Sequence, residues 1–506
     1  MKRRAPPTRA IVLAMSLLLG ADPAGAATLR VGVSLITGNA GNPYQDISQP
    51  IATPAQAIFD ALTAVDEAGT VTPALATSWT LESPTSWLVR LRPGIVFSNG
   101  EPLTAEALVV SAQHMATVAG RTETVGSMLY QVVGAEAVDA LTARVRLSEP
   151  DPLFPLHAAL WRIPAPKHWQ TLTRETYRTA IGTGPFVATA RTSNAMTLRA
   201  NSQSWRRPRV DALQILQVAD ATSRVQALTS GAIDIALSLA PEDEAAVTAA
   251  GFVFHARPST LVHFLGFVTT DPMSPVRDAR VRRALTMAVN REAIVRQVLK
   301  GTTAQASQFA ARGSFGYNAA LEPLPYDPAA AKRLLSEAGF PNGLKLAMTT
   351  SVGRGSDALY YQQIAADLGK VGVALELRTE PAVKLNQTMF AGTWTTNMFN
   401  MYTRGLDAMT DYRFRACLGL ATGRAPYHCD PELLPLLRRA IAEQDVEARR
   451  RLYGEVAAYE QRSPPGLLLW QDVEFDGLSP RVQGYAHAQD TILLDRVGLT
   501  AKQAGD

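Results

Sequence analysis

Cysteine and histidine are scarce in this chain: two and seven residues respectively among 506. Cys417 and Cys429 have only His428 near them, so the sequence offers no tetrahedral zinc set there. The histidines, at 114, 157, 168, 255, 263, 428 and 487, form no H-E-x-x-H and no pair at helical spacing. No G-x-S-x-G elbow is present. Gly182-Thr183-Gly184-Pro185-Phe186 has two glycines, but it lacks the Lys-Ser/Thr of a phosphate loop and the three-glycine spacing of a dinucleotide fingerprint. Glu242-Asp243-Glu244 could pass for paired carboxylates, yet after Pro241 it reads as the favourably charged start of a helix. An excess of one charge is also missing. Of the formal net charge of +4, most sits in Lys2, Arg3, Arg4 and Arg9 against Asp22, so the basic balance gives little support to nucleic-acid binding. A catalytic, metal or cofactor role finds no signature, and none is expected.

What is present is an ordinary globular composition, 47% hydrophobic and 19% charged, on a chain long enough for two or three lobes. The N-terminus has the pattern of a targeting segment: basic residues, the apolar run Ile11–Leu19, then Ala24-Gly25-Ala26 as a small-residue cleavage site. That run is too short to span a bilayer, and no later stretch reaches spanning length. No cysteine lies near the cleavage site, so a lipid anchor is not expected. The mature chain is expected to begin near Ala27 and to lie outside the cytoplasm. In an exported chain, two cysteines separated by a short loop most often pair.

The stretch Val71–Leu108 organises the reading. Trp87, Val89 and Leu91 alternate with Leu88, Arg90 and Arg92, which predicts a strand with one buried face. Pro93-Gly94 and Asn99-Gly100 are turn dipeptides, with Ile95–Phe97 expected as a short strand between them and Thr104 as the cap of a helix from Ala105. Further on, 132–139 and 143–147 read as a hairpin, and 260–268 as an apolar strand. Asp220, Asp278, Asn290, Asp327, Asp430 and Asp445 are expected to cap helices. Several arginines between Arg277 and Arg291 are assigned mostly to the solvated side of an amphipathic helix.

Pro73, Leu75, Ala76, Ser78 and Trp79, followed by Leu91, Arg92, Gly94, Phe97, Gly100 and Pro102–Glu106, resemble the signature of family 5 extracellular solute-binding proteins. These are the peptide-, nickel- and opine-binding receptors of ABC importers. Ser98-Asn99 stand where the family usually has His-Asp. The runs 182–186, 201–213 and 276–294 are similar to later family motifs, in the same order. The resemblance implies an α/β, two-lobe periplasmic-binding-protein fold of type II with an additional inserted domain. Lobe I is expected to combine 28–50, 182–268 and 471–506, the inserted domain to take 51–181, and lobe II 269–470, with crossings near Gly182, Thr269 and Trp470.

By the same resemblance, the protein is expected to act as a periplasmic monomer. It would capture a small peptide-like, opine-like or metal-chelate ligand and deliver it to the permease subunits of an importer. Tyr44 falls in a loop that often faces the ligand, though a plain turn is an equal reading. Arg121 and Arg162 fall near arginines that hold chelate carboxylates in the nickel branch, and Arg354 near one that pairs with a peptide carboxylate. A guanidinium suits that task through its fixed fork of donors, whereas the alternative for each is an exposed surface arginine. Tyr402, Thr403, Arg404 and Asp407 occupy the segment where dipeptide receptors grip an amine. Thr403-Arg404 stand near the place of the gripping aspartate, and Asp407 is displaced from it. The arginines favour an anionic ligand. An exported hydrolase of peptides or esters is the competing reading.

Overall fold

A computed structural model describes residues 27–500 except 46, 48, 49, 68, 352–356, 409–411 and 416–425. The expected targeting segment, Arg354 and Cys417 lie outside the described residues. No described helix is long and apolar enough to cross a membrane.

Two long strands, Val253–Phe267 and Gly466–Leu478, form the spine. At one end, Gly466–Leu478 pairs with Ile235–Leu239, and the sheet continues through Thr28–Val33, Ala212–Gln217, Ala195–Ala200 and Phe186–Arg191. At the other end, Val253–Phe267 pairs with Met398–Arg404, followed by Leu344–Ser351 and Val373–Glu380. Parallel pairs (Thr28–Val33 with Ala212–Gln217, Leu344–Ser351 with Val373–Glu380) lie beside antiparallel ones, which makes the fold mixed α/β.

The ladder between the two long strands shifts register between Pro258 and Val262 and again before Phe264. One half of each strand therefore serves each lobe. The change comes upstream of Thr269, where the crossing was expected, and the strand itself begins at Val253 rather than Thr260. Pro258 accounts for the misreading. It lacks an N–H and would weaken a regular ladder, but here it sits at the irregularity. At this irregularity Val262 pairs with Gln471.

A separate antiparallel sheet has the order Ala76–Ser83, Ser86–Leu91, Thr142–Leu147, Val132–Ala137. Trp87, Val89 and Leu91 are buried as the alternation predicts. Ile95–Phe97 is not a strand. Phe97 N–H donates to Glu101 O (2.8 Å) and Leu103 N–H to Ile95 O (2.9 Å), closing a tight loop with one bridge, Val96 to Pro102. Thr104 precedes the helix Ala105–Ala116 in extended conformation, without a side-chain cap bond. The apolar cluster beneath this sheet is continuous with that of the first lobe and takes in Leu29, Ile215, Leu62, Phe97 and Trp161. Phe267, Leu285, Met348 and Trp470 belong to a second cluster, in lobe II.

Gly182 and Gly184 mark the passage back from this region, with φ outside the left-handed range. A Cβ on Gly182 would lie 2.1 Å from Ile58 O, and one on Gly184 2.5 Å from Ile58 C. Close backbone approach, rather than an unusual turn angle, accounts for glycine here.

Asp220, Asp278, Asn290, Asp327 and Asp445 each accept a backbone N–H at a helix start, as expected. Asp430 accepts Glu432 N–H (3.1 Å), but this closes a turn ahead of the helix, which begins only at Leu434, and its other oxygen accepts from Tyr459 and Ser463. The solvated-face reading of the arginine run also needs correction at two positions. Arg282 and Arg291 are only 3% and 2% exposed. Arg282 donates to Pro464 O, Val276 O, Arg277 O and Ser463 Oγ, four acceptors that offset its desolvation. Burial pushes both guanidiniums down to about 10.

Candidate functional site

Two cavities flank the point where the long strands change register. The first, about 590 Å³, lies where residues 56–74, 159–162, 205–206 and 488–496 meet Gly405 and Leu406. Asp60, Arg162, Arg206, Asp490, Asp495 and Arg496 are the charged residues that line it. The second, about 730 Å³, lies beside Arg257, Gln308, Arg312, Gln471 and His487. Gln489 borders both.

The carboxylates of the first cavity are engaged within the protein. Asp60 accepts from Thr183 Oγ1 (2.7 Å), Trp205 Nε1 (2.8 Å) and Arg206 Nε (2.7 Å). Arg206 also pairs with Asp495 at 2.5 Å, so two aspartates compensate its charge. Asp490 accepts from Thr260 Oγ1, Ser259 Oγ (3.1 Å) and Arg257 Nη1 (3.4 Å). These bonds fix the hairpin His487–Ile492 to the strand that crosses between lobes. In the second cavity, the His487 imidazole is held near 3, first by burial and then by the positive field of Arg257.

Of the described residues among those marked in the sequence, Arg162 alone borders the first cavity. It is 7% exposed, and its guanidinium also approaches Pro43 O at 3.5 Å. Tyr44 is fully buried: its hydroxyl meets Ser111 Oγ at 2.5 Å and its ring stacks on His114, a packing role rather than a ligand-facing one. Arg121 donates to Tyr130 O and Val132 O, tying down its own domain, and lines neither cavity. Tyr402 is 44% exposed, with its ring 6.0 Å from that of His263. Thr403 is buried and donates to Phe309 O (2.8 Å). The strand Met398–Arg404 includes Arg404, whose side chain is not among the described groups. Asp407 is buried and accepts from His157 Nε2 (3.2 Å) and Tyr453 Oη (3.3 Å). The cavity wall in this segment is made by its neighbours Gly405 and Leu406.

Asp60, Arg206, Thr260, Gln489 and Asp490 were missed as site residues. The only sequence cue was the motif containing Trp205, which sits beside Arg206. Nothing local marks Asp60 or Asp490, whose partners lie more than a hundred positions away.

Residues 70–415 match the family described as Bacterial extracellular solute-binding proteins, family 5 Middle. The Heme-binding protein A of Haemophilus influenzae is 27% identical over 454 residues, 83% of this chain and 82% of that protein. The Glutathione-binding protein GsiB of Pectobacterium atrosepticum is 25% identical over 470 residues, 89% of this chain and 90% of that one. Among solved structures, the ABC transporter substrate binding protein CtaP of Listeria monocytogenes superposes with a TM-score of 0.83 at 20% identity, covering 94% of this chain and 100% of that one. HbpA2 of Haemophilus parasuis gives a TM-score of 0.78 at 23% identity, with the same coverage. The chain belongs to the family 5 extracellular solute-binding proteins and has their type II fold. Its role is that of a solute-binding protein of an ABC importer.

Proposed function

We propose that this chain captures a peptide-like solute bearing at least one carboxylate and hands it, as a periplasmic monomer, to the permease subunits of an importer. The single observation behind the anionic preference is the state of the first cavity. Its aspartates are already paired inside the protein, and the exposed Arg496 stands on the same wall as Arg162, whose guanidinium also approaches Pro43 O. A cationic solute would meet engaged carboxylates, whereas an anionic one would meet guanidinium donors suited to it. Heme and glutathione, named for the two relatives, each carry two carboxylates. An opine-like conjugate or a metal chelate shares that chemistry.

Export through a cleaved N-terminal segment and a Cys417–Cys429 disulfide bracing the segment before it are part of this reading. So is the absence of turnover. Material released from the purified protein by denaturation and identified by mass spectrometry, followed by calorimetric titration, tests it. Saturable binding near the micromolar range, about −8 kcal/mol, is expected for a carboxylate-bearing solute. A neutral or cationic copurified solute would sink the proposed class, and steady product release would restore the hydrolase reading.

A further inference from the structure

Gln489 has φ +53°, one of three non-glycine residues with positive φ among those described. Glycine would adopt that angle at less cost, and strained positions of this kind persist at ligand clamps and switch points. The residue sits at the tip of the hairpin in which Ala488 pairs with Thr491, held in place by Asp490 on Thr260, Ser259 and Arg257. The residue borders both cavities. Opposite it, a Cβ on Gly69 would lie 3.6 Å from Gln489 Nε2 and 2.9 Å from Gly313 O. Gly69, Gly313 and Gln489 thus bring the inserted segment, lobe II and lobe I together at the divide between the cavities. No hydrogen bond to the Gln489 carboxamide is present among the described residues.

We infer that Gln489 is a specificity-determining residue at which a ligand passes from one cavity into the other. A carboxamide presents an acceptor and two donors in one plane, the complement of the C=O and N–H of a peptide group. An elongated ligand with an amide at this point satisfies Gln489, while its ends occupy the cavities on either side. A charged group there gains only one half of the pairing. The preference is therefore for chains long enough to bridge the divide. This inference rests on the reading of the cleft as a site for peptide-like solutes.

The probe is a pool of synthetic dipeptides, tripeptides, tetrapeptides and hexapeptides with free carboxylates, presented to the full mature protein and read by native mass spectrometry. Gln489→Gly removes the carboxamide and suits the backbone angle, so its melting temperature is expected to equal or exceed that of the unsubstituted protein. Retention of the longer peptides should fall about tenfold in that variant, with the shortest unaffected, and Gln489→Asn should keep part of the preference. An unchanged length profile in Gln489→Gly overturns the inference alone. Failure of the unsubstituted protein to retain any peptide overturns the peptide-like reading as well.

Discussion

His157 Nε2 donates to Asp407, 250 positions away in the chain, at 3.2 Å, while its Nδ1 donates to Asp151 at 2.7 Å. A neutral imidazole has one N–H, so serving both carboxylates requires the cationic ring. Burial alone would discharge it. Asp151, by charge and hydrogen bond, and then Asp407 outweigh burial and hold His157 at about 10. Leu153 and Leu156 pack with Phe315 and Leu406 around this contact.

His157→Asn leaves two buried aspartates facing each other and should cost about 3–5 kcal/mol in urea unfolding at neutral pH. The sign with pH follows from the raised folded value. The contribution is complete below the ordinary histidine value of about 6.5 and is lost as pH rises through about 10. The variant should therefore lose less stability than the unsubstituted protein between those limits. Parallel stability–pH curves would show that the ring is not the bridging cation.

The same residues show what could be read in advance. Helix caps at Asp278, Asn290 and Asp327 were legible because the capped N–H lies two or three positions away. Trp87–Leu91 was legible because a two-residue period repeats within one strand. The roles of Asp407 and Tyr44 were not, because their partners are distant: His157 is 250 positions from Asp407, and Ser111 is 67 from Tyr44. Arg282 looked like a surface arginine for the same reason, since Pro464 and Ser463, which accept from it, belong to another part of the chain. Proximity made by the fold, rather than residue type, set each of these roles.

Gly182→Ala should destabilise the protein by roughly 1–3 kcal/mol, since its Cβ would meet a backbone oxygen that cannot rotate away. Thermal melting tests this. A variant as stable as the unsubstituted protein would mean that the strand passage relaxes freely and that glycine is not needed there for close approach.

The proposed Cys417–Cys429 disulfide closes a loop short enough that its removal should cost about 3 kcal/mol by the chain-entropy argument. Thiol labelling after denaturation without reductant should find no reactive cysteine. Two labelled thiols per chain would refute the pairing and, with it, the bracing of the segment that precedes Cys417.

Arg162 carries the most direct test of the anionic preference. Its guanidinium is buried on the wall of the first cavity and approaches Pro43 O at 3.5 Å, and Arg206 on the same wall serves Asp60 and Asp495. A ligand carboxylate paired with Arg162 forms charge-assisted hydrogen bonds that an alanine cannot replace. Arg162→Ala should then weaken binding of the copurified solute by about 1.5–3 kcal/mol. Arg162→Lys keeps the charge but loses the two-pronged geometry, so it should recover only part of that loss. Removing a buried side chain also disturbs packing, so the comparison needs a solute analogue in which the carboxylate is amidated. If Arg162 holds the carboxylate, the amide binds the unsubstituted protein weakly, and Arg162→Ala reduces its affinity little further. Equal losses for acid and amide would assign Arg162 to packing and leave the preference for anions without its main support.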